Sequence, residues 1–139
     1  MAARYEGGCL CGAVRYSCSA DPVATVNCHC RDCQMTSGSS HISGFVVPAA
    51  AFEMTGAVTW YGTRAESGGL SKRAFCPTCG ATLFGRPECA ELMFIHAVSL
   101  DDPSWYKPAI DIFTASAQPW DVMDPALPKF EKMPSRDPA

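Results

Sequence analysis

The sequence predicts a small, mainly β domain with few short helices and with metal-binding turns. Short apolar runs bounded by Gly, Pro, Ser or Asp dominate the chain, as is typical of strands. No stretch with helical periodicity is longer than about two turns. Most of the nine cysteines fall into three tight clusters rather than being spread along the chain. These three observations together favour a β-rich fold whose clusters lie in the connecting turns.

The first two predicted strands, residues 13–18 and 23–28, flank the turn Ala20-Asp21-Pro22, in which proline fixes φ. A short helix is predicted at residues 32–35, and Gly38 ends it. The remaining predicted strands are residues 44–47, 58–61, 70–75, 82–84, 92–98 and 110–113.

The length of 139 residues suits a single domain, which we expect to span residues 1–139. Its last part, residues 119–139, is rich in Pro, Asp and Lys and is expected to wrap the surface as a tail. Three apolar side chains are expected to pin this tail: Trp120, Leu127 and Phe130.

Composition excludes several classes of partner. The net charge is −3 and the basic residues form no long block, so a nucleic-acid partner is not expected. The longest apolar run, residues 45–52, is too short to cross a bilayer. The first residues lack the apolar core of a signal peptide. We therefore expect a cytoplasmic protein without a membrane partner, whose thiols stay reduced.

The clustered cysteines point to metal binding. The clusters are Cys9-Leu-Cys11, Cys28-His-Cys30-Arg-Asp-Cys33 and Cys76-Pro-Thr-Cys79. Disulfides are disfavoured by the reducing compartment, by the odd cysteine count and by the strain within a Cys-x-Cys pair. Two thiolates separated by one or two residues can instead share one tetrahedral zinc. Pro77 presets the turn of the last cluster, and Gly80 allows a positive φ there.

Ligand counting divides seven thiolates into four and three, because structural zinc takes four ligands. The two pairs, Cys9 with Cys11 and Cys76 with Cys79, are predicted to form a closed structural site. Cys28, Cys30 and Cys33 are predicted to hold a second zinc with an open fourth position, as catalytic zinc requires. A single shared site is the alternative.

The other cysteines and the histidines receive simpler interpretations. Cys18 and Cys89 are expected to be buried side chains rather than ligands. His29 lies between two predicted ligands and is expected to support them without binding metal. His96 is interpreted as a histidine at the edge of the core, and no role is predicted for His41.

Three ordered motifs resemble the glutathione-dependent formaldehyde-activating enzyme family, which includes centromere protein V. They are Gly-Cys-Leu-Cys-Gly-Ala-Val-Arg-Tyr at residues 8–16, Cys-His-Cys-Arg-Asp-Cys-Gln at 28–34 and Arg-Ala-Phe-Cys-Pro-Thr-Cys-Gly-Ala-Thr-Leu at 73–83. The resemblance runs from residue 8 to about residue 130. It implies an Mss4-like β-rich fold, a structural zinc on the two pairs and a second zinc on the triplet.

Membership implies a carbon–sulfur lyase that combines formaldehyde with glutathione to S-hydroxymethylglutathione. In this interpretation Cys28, Cys30 and Cys33 carry the catalytic zinc, and a small thiol such as glutathione is the partner. The carboxylates of glutathione need cations, each of which can equally be a solvated surface residue. The segment after the triplet offers hydrogen-bond donors, although an ordinary polar loop is the favoured interpretation there. The candidates are Arg31, Arg64, Lys72, Arg73, Ser37, Gly38, Ser39 and Ser40. The alternative function is a non-enzymatic zinc module that binds a protein or a small thiol ligand.

Overall fold

A computed structural model describes residues 5–65, 67–88 and 91–134 of the chain. It is mainly β, with a single α-helix in the described residues, so the predicted fold class is confirmed. None of the helices in this part of the chain has the length and apolar character needed to span a bilayer. The chain forms two compact units. The first unit is Met1–Ala24 with Phe45–Tyr106, and the second unit is Thr25–Gly44 with Lys107–Ala139.

Every predicted strand overlaps an observed one, and the predicted helix is confirmed as α1 (Arg31–Ser37). The strands are β1 (Tyr5–Gly8), β2 (Arg15–Cys18), β3 (Ala24–Cys28), β4 (Ile42–Pro48), β5 (Phe52–Thr55), β6 (Thr59–Arg64), β7 (Leu70–Phe75), β8 (Thr82–Arg86), β9 (Leu92–His96) and β10 (Ile110–Ile112). Strands β1 and β5 were not predicted from the sequence. The strand predicted at residues 92–98 is longer than β9, because the chain turns into a 3₁₀ helix at Ala97–Ser99. That one domain covers residues 1–139 stays a prediction.

In the first unit, β2 is the middle strand of an antiparallel sheet with β1 and β5 on either side. Strands β6, β7, β8 and β9 form a second antiparallel run in that order. The register of β7 against β8 shifts between Ala74 and Phe75, immediately before Cys76. This irregularity is where regular pairing gives way to the turn that carries two of the clustered cysteines.

Aromatic side chains fill the core of the first unit. Phe84 of β8 is fully buried and contacts Tyr16 and Phe52, with ring centroids 5.8 and 4.8 Å away. Tyr16 and Phe52 in turn stack on each other at 5.5 Å. Cys9 and Cys76 belong to the same buried cluster, so two of the grouped cysteines are part of the core.

Replacing Phe84 with alanine is expected to lower the free energy of unfolding by about 3–5 kcal/mol, because it removes a whole ring from this packing. Chemical denaturation measures the change. Val98→Ala is the matched control, since Val98 is 81% exposed in the same unit and its loss is expected to cost about 0.5 kcal/mol or less. Equal stability of the two variants would contradict this account of the core.

The second unit is built around β3, from Thr25 onward, and β10. The pairing of β10 with β3 is parallel and sets Ile112 opposite Cys28. The C-terminal segment continues the pairing on β10, since the amide of Asp111 donates to the Pro128 carbonyl and the amide of Phe130 donates to the Asp111 carbonyl. The tail is therefore held by backbone hydrogen bonds. Trp120, which was predicted to pin it, is 68% exposed, so that prediction is wrong.

Candidate metal centres

The four-thiol cluster, defined as Cys9, Cys11, Cys76 and Cys79, lies in the first unit. Each of its two cysteine pairs sits in a tight turn closed by glycine. The amide of Gly12 donates to the Cys9 carbonyl at 3.2 Å, and the amide of Gly80 donates to the Cys76 carbonyl at 2.8 Å. Both glycines have positive φ, of 83° and 77°, which side chains with a Cβ rarely adopt. The positive φ predicted for Gly80 is confirmed.

The spacing of the sulfurs in the four-thiol cluster fits one tetrahedral ion. The Cys11 Sγ atom lies 3.6 Å from the Cys9 Sγ and 3.8 Å from the Cys76 Sγ. Four thiolates around a zinc at 2.3 Å stand about 3.8 Å apart, which is the edge of the tetrahedron. None of the eight cysteines in the described residues forms a disulfide.

Backbone amides stabilise negative charge on these sulfurs. The Val14 amide donates to the Cys9 Sγ at 3.2 Å, and the Thr78 amide donates to the Cys76 Sγ at 3.4 Å. Hydrogen bonds from the backbone at Ala81 lower the pKa of the Cys79 thiol to about 6. The amide of Ala13 also lowers the pKa of Cys11, but the Cys9 thiol and burial outweigh it and raise that pKa to about 11. A cation at the four-thiol cluster would offset the repulsion between neighbouring thiolates.

The three-thiol cluster, defined as Cys28, Cys30 and Cys33, lies in the second unit, and its sulfurs are within 4.8 Å of one another. Cys28 ends β3, Cys30 is the N-cap of α1 and Cys33 belongs to the first turn of that helix. The Cys33 amide donates to the Cys30 Sγ at 3.3 Å. Among the described residues, no fourth Cys, His, Asp or Glu joins this group.

The three thiols cannot all be ionised without a compensating cation. The neighbouring thiols of Cys30 and Cys33, followed by burial, raise the pKa of the Cys28 thiol far above its usual range. Cys28 and Cys33 are buried, whereas Cys30 is only partly buried. The cluster could hold a soft divalent metal ion, since thiolates are soft ligands.

A clamp of two carboxylates holds the histidine between two of these thiols. We define the clamp as Asp111, His29 and Asp121. The Nε2 atom of His29 lies 2.8 Å from an oxygen of Asp111, and its Nδ1 atom lies 2.5 Å from an oxygen of Asp121. All three side chains are almost fully buried, with 1–2% exposed. Both ring nitrogens are therefore engaged, which agrees with the supporting role predicted for His29.

Sequence reasoning missed both aspartates. Asp111 carried one recognisable signal, because it is a charged residue between Ile110 and Ile112 in a predicted strand, where an unpaired charge is costly. Asp121 carried none, since it lies in the polar tail.

His41 also lies beside the clamp, with its ring centroid 4.9 Å from that of His29. His29, His41 and Asp121 have the side-chain types of a metal site. However, two ligands bound at about 2.0 Å to one tetrahedral ion stand about 3.3 Å apart. The 2.5 Å separation of His29 and Asp121 is instead that of a hydrogen bond. We therefore interpret these residues as a hydrogen-bonded group.

The structure divides the predicted substrate-binding residues between the units. Arg31 and the polar loop at residues 37–40 lie in the second unit with the three-thiol cluster, whereas Arg64, Lys72 and Arg73 lie in the first unit. Arg31 donates to the side chain of Gln34 at 2.9 Å, and Ser40 is hydrogen-bonded to His41 at 3.0 Å.

The two cysteines predicted to be buried non-ligands have different outcomes. Cys18 is fully buried and outside both clusters, as predicted. Cys89 lies outside the described residues.

Comparison with known proteins finds a matching family model and a similar crystal structure. The family model described as glutathione-dependent formaldehyde-activating enzyme matches residues 4–116, which include all seven clustered cysteines. A crystal structure of a protein from Rhodobacter sphaeroides is similar at a TM-score of 0.56 and 20% sequence identity. That match covers 69% of this chain and 87% of the other, and at this identity it supports the fold alone. No curated protein matches the chain.

Proposed function

The chain belongs to the glutathione-dependent formaldehyde-activating enzyme family, and from this premise we propose that it is a zinc-dependent carbon–sulfur lyase that condenses glutathione with formaldehyde. The observation that carries the proposal is the three-thiol cluster, in which three sulfurs converge and no fourth Cys, His, Asp or Glu of the described residues joins them. A site with an incomplete set of protein ligands leaves a position for a substrate group. We propose the four-thiol cluster, by contrast, as a closed structural zinc site.

Zinc at the three-thiol cluster would supply positive charge that favours the thiolate form of a substrate thiol. The substrate thiol is a better candidate for the open position than the aldehyde oxygen. The negative charge of three thiolates would make the zinc ion a weak Lewis acid. In the reaction, the glutathione sulfur forms a bond to the formaldehyde carbon while the carbonyl π electrons move to oxygen. The proton lost by the thiol ends on that oxygen, which gives the hydroxymethyl product.

The second unit also offers groups that can position glutathione. Arg31 is exposed, and one nitrogen of its guanidinium group donates a hydrogen bond to Gln34. The other N–H groups of the guanidinium can therefore donate to a carboxylate of glutathione. We propose Arg31 for this role ahead of the three cations in the first unit, because it is directly attached to the cysteine motif. The free thiols of both clusters suit a reducing compartment, and we propose the cytoplasm.

Metal content and turnover test the proposal together. Protein purified without added zinc is expected to hold two zinc ions per chain, one of which becomes easier to remove when millimolar glutathione is present. The same preparation should form S-hydroxymethylglutathione faster than the uncatalysed mixture of thiol and aldehyde. A single tightly held zinc, indifferent to glutathione, would contradict the proposal and favour a non-enzymatic zinc module.

A further inference from the structure

We infer that the clamp of Asp111, His29 and Asp121 determines how tightly the three-thiol cluster binds its metal, with His29 acting as a positioning residue. The inference rests on the proposed function, because it assumes that the three-thiol cluster holds zinc. It assigns a role to two aspartates that lie 82 and 92 positions beyond His29 in the chain.

His29 is fixed through its backbone as well as its side chain. Its amide donates to the Ile112 carbonyl at 3.0 Å, and its carbonyl accepts a 2.7 Å hydrogen bond from the side chain of Gln34. That amide of Gln34 also donates to the Ser116 carbonyl at 3.0 Å. A residue held at both ring nitrogens, at N–H and at C=O has little rotational freedom left.

This immobility acts directly on the thiols, because His29 is the one residue between Cys28 and Cys30. Where the backbone is extended, successive side chains point to opposite sides. Cys28 ends a strand and Cys30 has extended dihedrals, with φ −65° and ψ 156°. Fixing His29 on one side therefore fixes the direction in which the side chains of Cys28 and Cys30 leave the backbone on the other. Ligands that are already in place lose less conformational entropy when the metal binds.

The clamp buries three polar side chains, which is costly for the fold. Burying charged groups is unfavourable unless they are paired. Asp111 has one oxygen without a hydrogen bond, with Lys129 Nζ 3.7 Å away. An apolar residue in place of Asp111 would avoid this cost. We therefore attribute the buried clamp to its effect on the thiols of the three-thiol cluster.

The test compares Asp121→Ala with Asp121→Asn. Alanine removes the acceptor for His29 Nδ1, whereas asparagine keeps an oxygen that can accept from it. We expect Asp121→Ala to weaken metal binding at the three-thiol cluster about 10- to 100-fold, which is typical when a group supporting a metal ligand is lost. Asp121→Asn is expected to restore most of the affinity. The measurements are chelator competition for zinc and, with Co²⁺ in its place, the thiolate absorption bands that report the geometry of the ligands.

Two internal controls accompany this experiment. The first control, Asp124→Ala, makes the same change at an exposed residue of the same segment. Among the described hydrogen bonds, the Asp124 carboxylate accepts only from the Ala126 amide. Asp124→Ala should therefore leave the zinc affinity and the Co²⁺ spectrum unchanged. The metal of the four-thiol cluster reports the integrity of the first unit, in which that cluster lies.

Unchanged affinity and an unchanged Co²⁺ spectrum in Asp121→Ala would overturn the inference. A parallel loss of metal from both clusters would also overturn it, since the clamp would then act on folding as a whole. Failure of the proposed function looks different: the unaltered protein would then bind no metal at the three-thiol cluster, whatever residue stands at position 121.

Discussion

Replacing Cys76 with alanine is expected to prevent the first unit from folding at ordinary temperature. Cys76 is fully buried within the hydrophobic core and its sulfur lies 3.8 Å from that of Cys11, 65 positions away. The substitution thus opens the proposed structural site and leaves a cavity in the core. Zinc binding to such thiolate sites contributes about 10–16 kcal/mol in small peptides, which is comparable to the entire net stability of about 5–15 kcal/mol of a domain.

The measurement for Cys76→Ala is thermal unfolding followed by near-ultraviolet circular dichroism, together with zinc content. Cys18→Ala is the matched control, because Cys18 is an equally buried cysteine in the same unit that belongs to neither cluster. We expect it to unfold cooperatively, with a loss of about 1 kcal/mol. A Cys76→Ala protein that melts like the control and keeps its zinc would show that the four-thiol cluster has no structural role.

Replacing Cys30 with alanine is expected to remove one zinc ion per chain and to reduce the condensation of glutathione with formaldehyde to the uncatalysed rate. The fold should survive, because Cys30 is only partly buried and is not among the buried core residues described for either unit. The helix loses the sulfur that accepts from the Cys33 amide, which we expect to cost about 1 kcal/mol.

Zinc content, circular dichroism and turnover are measured on the same Cys30→Ala sample. Met35→Ala serves as the control: Met35 lies on the same helix, is 72% exposed and belongs to neither cluster. It should keep both zinc ions and full activity. A folded and fully active Cys30→Ala protein would rule out the three-thiol cluster as the catalytic centre.

The strands predicted most accurately are those bounded on both sides by residues typical of turns. Residues 70–75 match β7 (Leu70–Phe75) at both ends, because a glycine precedes the strand and a proline-containing turn follows it. β1 was missed since two of its four residues are glycines, which are poor strand formers. It forms because it pairs with β2, and the absence of a side chain at Gly7 makes room for the ring of Tyr16. This is a tertiary reason that a local pattern cannot reveal.

In the candidate site, too, some features follow from local sequence and others from tertiary structure. The spacing within each cysteine cluster determined by itself which thiols can share an ion, because one or two intervening residues in a tight turn limit the distance between two sulfurs. The meeting of the two cysteine pairs, 65 positions apart, follows from the packing of Cys9 and Cys76 in one buried core, although ligand counting anticipated it. The clamp was decided by tertiary structure alone. Parallel pairing sets β10, which contains Asp111, beside β3, which ends immediately before His29. The C-terminal segment forms backbone hydrogen bonds with β10, and Asp121 of this segment is hydrogen-bonded to His29. Local sequence encodes short-range geometry, whereas a buried hydrogen bond between residues 92 positions apart depends on every element that brings them together.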